Sequence, residues 1–263
     1  MLYFHGFPSS RLEARLGDAE GAARGVRLIA PDRPGFGRSD FQKGRGLLDW
    51  PEDVEVLARV LGLDRFAVAG VSGGGPYALA VAYRFPRRVT AAGIVAGLPP
   101  LDRPESLASM SWLHRLVLDL ASKSHMVARA LLRIYASWLV RRPEAVLSIL
   151  SAGAPPADRA VLARPAIREA VLNAFREGFR WGSRGCLVDL EIFRKPWGFS
   201  LEEIETPVHL WHGERDATIP ASLGRVQAEA LRECAAVFHP EEGHFSLPIN
   251  RMGEILEALR RPE

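Results

Sequence analysis

The sequence predicts an α/β fold in which a mostly parallel sheet is covered by helices on both faces and interrupted by an all-helical insertion. Two observations predict it. Strand-like and helix-like segments alternate in the first and last parts of the chain. Between about residues 103 and 198, by contrast, apolar residues recur only at helical spacing. We therefore divide the chain into a first core part (1–103), a helical cap (104–200) and a second core part (201–263).

The core strands and helices are predicted from apolar runs and from the residues that bound them. Val89–Val95 is apolar except for Thr90, as expected of a strand that is buried on both faces. Pro51 suits the first turn of a helix. The predicted strands are Leu2–His5, Val26–Ala30, Phe66–Val71, Val89–Val95, Val208–His212 and Ala235–His239. The predicted core helices are Pro51–Leu61, Gly74–Phe85, Leu223–Leu231 and Arg251–Leu259.

The insertion is read as a set of helices separated by prolines. Its apolar periodicity is strongest in WLHRLVLDL, MVARALLRIYASWLVRR, AIREAVLNAFREGF and CLVDLEIF. Pro143, Pro155–Pro156 and Pro165 mark the breaks between these segments.

Composition excludes several classes of function. The 263 residues carry a net charge of only +3, and the arginines are scattered among acids, so we expect no nucleic-acid partner. No apolar run is long enough for a transmembrane helix, and the N-terminus does not resemble a signal peptide. Two distant cysteines, Cys186 and Cys234, predict reduced thiols in a cytoplasmic protein. No ligand cluster or phosphate-binding motif indicates a metal or an organic cofactor.

The strongest local motif is Gly70-Val71-Ser72-Gly73-Gly74, a G-x-S-x-G sequence between a predicted strand and a predicted helix. The turn is tight, so side chains at Gly70 and Gly74 would collide with neighbouring backbone. The serine would stand exposed at the strand end, with the helix N-terminus behind it favouring negative charge. Without further partners the same glycines could form a turn with no chemistry.

A serine hydroxyl needs an adjacent base to act as a nucleophile. The tail of the chain offers Asp216 and His244, each in a loop just after a predicted strand. In a parallel sheet these loops lie at the same carboxyl edge as Ser72. Asp102, which follows the fourth predicted strand, is the competing acid. The other histidines have strand or helix contexts that favour structural roles.

An oxyanion formed at this site needs preorganised hydrogen-bond donors. Gly73, the residue after the serine, offers a backbone N–H. The loop after the first strand, His5-Gly6-Phe7-Pro8, offers a second, because Gly6 permits an unusual turn that can aim the Phe7 N–H inward. Pro8 has no N–H and cannot serve.

In this order, HGFPSSR, PDRPGFGRSD, GVSGGGPYALA, GERD and EEGHFSLP resemble the α/β-hydrolase superfamily, and the resemblance covers nearly all of the core. It implies a serine hydrolase in which residues 32–39 shape the pocket walls and the helical insertion is a cap over the site. Such proteins usually carry two strands before the His-Gly motif. Their absence here would leave Val26–Ala30 at the sheet edge, where an apolar strand invites a partner chain, so we expect either a longer reading frame or a covered edge such as a homodimer.

Ser72, rather than the aspartate used by haloalkane dehalogenases and epoxide hydrolases, predicts acyl transfer from a small-molecule substrate to water. Ester cleavage is the first expectation, with amide, thioester and carbon–carbon hydrolysis as alternatives and a non-catalytic receptor as the competing class.

Aromatic residues of the insertion either pack its helices or line an apolar pocket. They are Trp112, Tyr135, Trp138, Phe175, Phe179 and Trp181. Basic residues beside one apolar helix could instead mark an interfacial face. They are Arg129, Arg133, Arg141 and Arg142.

Overall fold

The computed structural model describes residues 1–102, 104–110 and 112–260, with only the backbone described at 104, 112–114, 121–123 and 125. Its sheet has five strands in the order β1-β2-β3-β4-β5, and every neighbouring pair is parallel. The strands are β1 (Leu2–Phe4), β2 (Phe66–Val71), β3 (Val89–Val95), β4 (Val208–Gly213) and β5 (Cys234–His239). The predicted α/β architecture is confirmed.

The strands alternate in the direction of their side chains, which divides the core into two layers. Leu2 and Phe4 pack into one apolar cluster, whereas Tyr3 between them packs into another on the opposite face of the sheet. All residues of β2 are buried, because helices cover both faces. The core helices are α1 (Asp18–Ala23), α2 (Trp50–Val60), α3 (Gly75–Arg84), α11 (Ala221–Ala230), α12 (Ser246–Asn250) and α13 (Met252–Leu259).

Between β3 and β4 the described residues form helices and no strand, as the sequence predicts. Prolines open several of them, where the missing N–H breaks no helical hydrogen bond. The helices are α4 (Pro104–Ser109), α5 (Trp112–Lys123), α6 (His125–Arg141), α7 (Pro143–Ala152), α8 (Pro156–Leu162), α9 (Pro165–Gly178) and α10 (Arg184–Arg194). We call Pro104–Arg194 the helical insertion.

The predicted strand Val26–Ala30 is wrong. Only Ile29 pairs with β1, through one isolated parallel bridge to Leu2. None of residues 26–30 is fully buried, and β1 offers only three residues for pairing. β1 is therefore too short to form a longer series of backbone hydrogen bonds with this segment. The segment does lie beside β1, at the edge where the sequence placed it.

Two short helical elements before this segment were not predicted. A 3₁₀ helix, Arg11–Gly17, begins at Ser10, whose hydroxyl accepts a hydrogen bond from the backbone N–H of Leu12. α1 follows it directly. The turn carries Glu13 to the end of the sheet, where β1 and β2 terminate. No helix among the described residues is long and apolar enough to cross a membrane.

Candidate active site

Ser72 lies on a strained turn at the carboxyl end of β2. Its φ of 52° is a left-handed conformation that a serine adopts only when its surroundings require it. A Cβ on Gly70 would collide with the backbone of Gly74, and one on Gly74 would collide with the carbonyl oxygen of Phe4. The two glycines therefore allow the helix α3 to approach the strands closely, and the serine hydroxyl is held above their ends.

The structure brings together the three residues that the sequence singled out for nucleophilic chemistry. Ser72 Oγ lies 3.0 Å from His244 Nε2, and His244 Nδ1 lies 2.8 Å from Asp216 Oδ2. The residues are far apart in the chain, but the loops that carry them follow β2, β4 and β5 at one edge of the sheet. This geometry suits proton transfer from the hydroxyl to the imidazole.

The carboxylate oxygen of Asp216 that does not contact His244 is fixed by two backbone hydrogen bonds. The backbone N–H groups of Thr218 and Ile219 donate to Oδ1, each at 2.8 Å. Burial alone would raise the pKa of Asp216, but its contact with His244 outweighs this and the pKa is lowered. Burial likewise opposes charge on His244, yet Asp216 raises the pKa of the imidazole. The two shifts together favour an ionised acid beside a basic histidine.

Neither the competing acid nor a second histidine beside Asp216 belongs to the hydrogen-bonded chain from Ser72 to Asp216. Asp102 is exposed. His212 is buried beneath Asp216 with Nε2 2.8 Å from the carbonyl oxygen of Ile219, and burial lowers its pKa. His212 is thus a structural neighbour of the acid.

The loop after β1 is fixed against Ser72 from two sides. A Cβ on Gly73 would collide with Cβ of Phe7, so the two residues expected to donate to an oxyanion are adjacent. Arg33 donates to the carbonyl oxygens of His5 and Gly6, which anchors the loop. The buried His5 accepts from the Arg33 backbone N–H at Nε2, and burial lowers the pKa of its imidazole.

Arg33 also connects this loop to the helical insertion. Its Nε donates to Asp189 on α10 at 3.0 Å. Arg45 donates to the other oxygen of Asp189, and the Tyr77 hydroxyl donates to that same oxygen at 2.6 Å. Asp189 and Arg33 are completely buried. A buried carboxylate between two guanidinium groups is costly to disrupt, so the network ties the insertion to the core.

A second aspartate of the insertion holds the histidine loop. Asp158, on α8, is 2% exposed. It accepts hydrogen bonds from the backbone N–H groups of His244, Phe245 and Ser246, at 3.0, 3.1 and 2.8 Å. Its negative charge also raises the pKa of His244. The loop that presents the imidazole is therefore positioned by a residue of the insertion.

A cavity of about 580 Å³ opens beside Ser72 and His244, between the core loops and the insertion. Of the insertion's aromatic residues, Tyr135 and Phe175 line it, and Phe179 packs edge-on against Tyr135. Trp138 and Trp181 are exposed, and the side chain of Trp112 lies outside the described residues. The interfacial face proposed for α6 stays a prediction.

Sequence reasoning missed three groups at this site: Asp158, the pair Arg33–Asp189, and Glu13. Glu13 lines the cavity, accepts from the Gly6 N–H at 3.0 and 3.1 Å, and accepts from the Tyr3 hydroxyl at 2.8 Å. PDRPGFGRSD pointed to the Arg33 loop, but no local pattern marks the other residues. Among the described residues, no group of His, Cys, Asp and Glu could hold a metal ion.

Comparisons with known proteins agree with this architecture. Residues 1–249 match the family model described as alpha/beta hydrolase fold, so the chain belongs to that family. A bifunctional esterase/perhydrolase from Acinetobacter calcoaceticus is 25% identical over 257 residues, covering 93% of this chain and 84% of the relative. The family and this relative identify the chain as a hydrolase.

Solved structures share the fold at lower identity. An enol-lactonase from Burkholderia xenovorans superposes with a TM-score of 0.69 at 19% identity, covering 98% of this chain and 88% of that one. An esterase from a Rhodococcus species gives a TM-score of 0.67 at 21% identity, covering 98% and 89%.

Proposed function

We propose that the protein is a carboxylic ester hydrolase with Ser72 as nucleophile, His244 as general base and Asp216 as the acid that orients the imidazole. The observation that carries this proposal is the hydrogen-bonded chain from Ser72 through His244 to Asp216 at the wall of a largely apolar cavity. Each member has the contacts that its role requires.

In this mechanism, Ser72 Oγ attacks the ester carbonyl while His244 Nε2 takes the hydroxyl proton. The negative oxygen of the tetrahedral intermediate is stabilised by the backbone N–H groups of Phe7 and Gly73. His244 then gives its proton to the leaving alkoxide, which leaves an acyl-serine. Water, deprotonated by His244, attacks the acyl group and releases the acid. Losing one oxyanion donor typically costs about 3–4 kcal/mol of barrier.

His5, Gly6, Gly70 and Gly74 support this arrangement by shaping the backbone around Ser72. The glycines allow the close backbone approaches around Ser72, and His5 anchors the loop through Arg33. The apolar cavity favours an ester with hydrocarbon parts over a charged or strongly polar substrate.

We assign residues 1–103 and 201–263 to the catalytic core and residues 104–200 to a cap that encloses the substrate. Support comes from the cavity, whose wall includes Leu132, Tyr135 and Phe175 of the insertion opposite Ser72 and His244 of the core. Chain length and branching of the accepted ester would then depend mainly on the cap.

The first experiment compares hydrolysis of p-nitrophenyl esters from acetate to decanoate by wild type and Ser72→Ala. We expect wild-type turnover and a loss of roughly 10⁴-fold or more in Ser72→Ala. Fluorophosphonate labelling of wild type serves as a control for an intact nucleophile. Labelling without ester turnover would indicate another acyl substrate, and neither labelling nor turnover would favour a non-catalytic receptor.

A further inference from the structure

The cavity beside Ser72 is unusual in its balance of charge. Most of its described lining residues are apolar, including Leu131, Leu132 and Ile249. The ionisable lining residues are two carboxylates, Glu13 and Asp158, together with Tyr3, Tyr135 and His244, and the described lining contains no arginine or lysine. An anionic ligand in this cavity would lie near carboxylates and would find no arginine or lysine among the described lining residues with which to pair.

The two carboxylates differ in how fully they are enclosed. Asp158 directs its oxygens at three backbone N–H groups of the histidine loop and is almost completely buried. Glu13 accepts hydrogen bonds from the Gly6 N–H and the Tyr3 hydroxyl, and it is only partly buried where it lines the cavity. Burial raises the pKa of its carboxyl, whereas its hydrogen-bond donors and the charge of Arg33 lower it. Glu13 is therefore the carboxylate that a bound substrate would encounter.

Glu13 also lies close to the reacting centre. A Cβ on Gly6 would lie 3.3 Å from a carboxylate oxygen of Glu13 and 3.6 Å from Cβ of Ser72, so both residues flank the same glycine. Arg33 opposes the charge of Glu13, but its guanidinium is bound to Asp189 and to the carbonyl oxygens of His5 and Gly6. That guanidinium is fully buried and does not line the cavity.

We propose that the cavity accepts uncharged, largely apolar esters and rejects esters that carry a carboxylate on the part that enters it, with Glu13 as the residue that determines this selectivity. The inference rests on the ester hydrolysis proposed above. A carboxylate entering the cavity loses its hydration and meets the charge of Glu13 in a medium of low dielectric constant, whereas an alkyl group loses nothing. The volume of about 580 Å³ is ample for a small organic ester.

The test uses two substrates of nearly equal size, p-nitrophenyl methyl adipate and p-nitrophenyl hydrogen adipate, which differ in one negative charge. Like charges about 6 Å apart at an effective dielectric constant of about 20 predict a preference of about 100-fold in kcat/KM for the neutral ester. In Glu13→Gln this ratio should fall by at least about tenfold. Because the ratio is internal to each enzyme, any effect of the variant on the Gly6 loop cancels.

A third substrate separates repulsion from simple desolvation. An ester whose acyl chain ends in a trimethylammonium group should be rejected less strongly than the adipate monoanion by wild type, and this difference should shrink in Glu13→Gln. If the cation and the anion are rejected equally by wild type, Glu13 does not determine the selectivity and the inference is overturned.

A second variant tests the same charge effect in case Glu13→Gln does not fold. Ile149 lines the cavity and is 64% exposed, so a lysine there can be accommodated. Ile149→Lys should raise kcat/KM for the monoanion relative to the neutral ester. Equal rates for the neutral and anionic adipates in wild type would overturn the inference while leaving the esterase intact. Failure to hydrolyse the neutral ester, with no fluorophosphonate labelling, would instead overturn the proposed function.

Discussion

The α/β core and the helical insertion both place buried aspartates at the active site, but by different means. Asp216 lies in a core loop directly after β4, and its own loop supplies two backbone donors. Asp158 and Asp189 lie on helices of the insertion, and their partners belong to core segments distant in the chain. The core aspartate is thus positioned locally, whereas the insertion aspartates position parts of the core.

This difference has a consequence for the site. The insertion does more than line the cavity, since Asp158 holds the histidine loop and Asp189 holds Arg33, which in turn holds the loop of Gly6. Substitutions of Asp158 and Asp189 should therefore change catalysis through the core loops that they hold, whereas substitutions of Ser72, His244 or Asp216 should act on the chemistry directly.

The largest effect is expected from Asp216→Asn. An amide cannot stabilise the imidazolium and favours the wrong tautomer of His244, so kcat should fall by roughly 10³–10⁴-fold. Steady-state hydrolysis of a p-nitrophenyl ester measures it, and circular dichroism checks that the fold persists. Asp102→Asn, at an exposed position, is the matched control and should retain activity. If Asp216→Asn kept its activity, a different acid would have to orient His244, and the role proposed for Asp216 would be wrong.

The next largest effect is expected from Asp189→Asn, and it should appear first in stability. Arg33 and Arg45 would both keep their charge without a buried carboxylate, which typically costs about 3–5 kcal/mol. Urea unfolding measures the change in the free energy of unfolding. Glu169→Gln, an exposed carboxylate of α9, is the control for charge loss on the insertion. Equal stability of the two variants would show that the network is not important for the fold.

A smaller effect, but a more specific one, is expected from Asp158→Asn. The amide nitrogen would face backbone N–H groups, so kcat/KM should fall by about 10- to 100-fold through misplacement of His244. Because Asp216 and Asp158 raise the pKa of His244 and only the neutral imidazole accepts a proton, wild-type kcat/KM should decline below a midpoint above pH 6.5. In the variant this midpoint should move toward lower pH. A merely structural Asp158 would lower stability and leave the pH profile in place.

Much of the fold could be predicted because strands that are buried on both faces have short, apolar sequences. Phe66–Val71 and Val89–Val95 appear in the structure with the predicted bounds. Val26–Ala30 is also largely apolar but forms one bridge only. Composition indicates whether a segment can form a strand, but a strand also needs a neighbouring strand with which to form backbone hydrogen bonds.

The candidate site was predictable where backbone geometry requires particular residues. A sharp strand-to-helix turn needs glycine at positions 70 and 74, and these two glycines identified Ser72 between them as the candidate nucleophile. Glu13 and Asp158 satisfy no such local requirement. A carboxylate that accepts backbone N–H groups from another part of the chain leaves no pattern around itself. In the sequence, a partly buried glutamate in a short 3₁₀ helix cannot be distinguished from an exposed one.

The sequence by itself determined the order of the strands along the chain, the helical insertion, the turn at Ser72 and the three residues that meet there. These features depend on periodicity, turn chemistry and the rule that loops after parallel strands share one edge of the sheet. Only the tertiary structure decided that Asp158 holds the histidine loop, that Asp189 and Arg33 join the insertion to the core, and that Glu13 faces the cavity. Hydrogen bonds and charges act over a few ångströms in space, and folding alone brings such distant residues within that range.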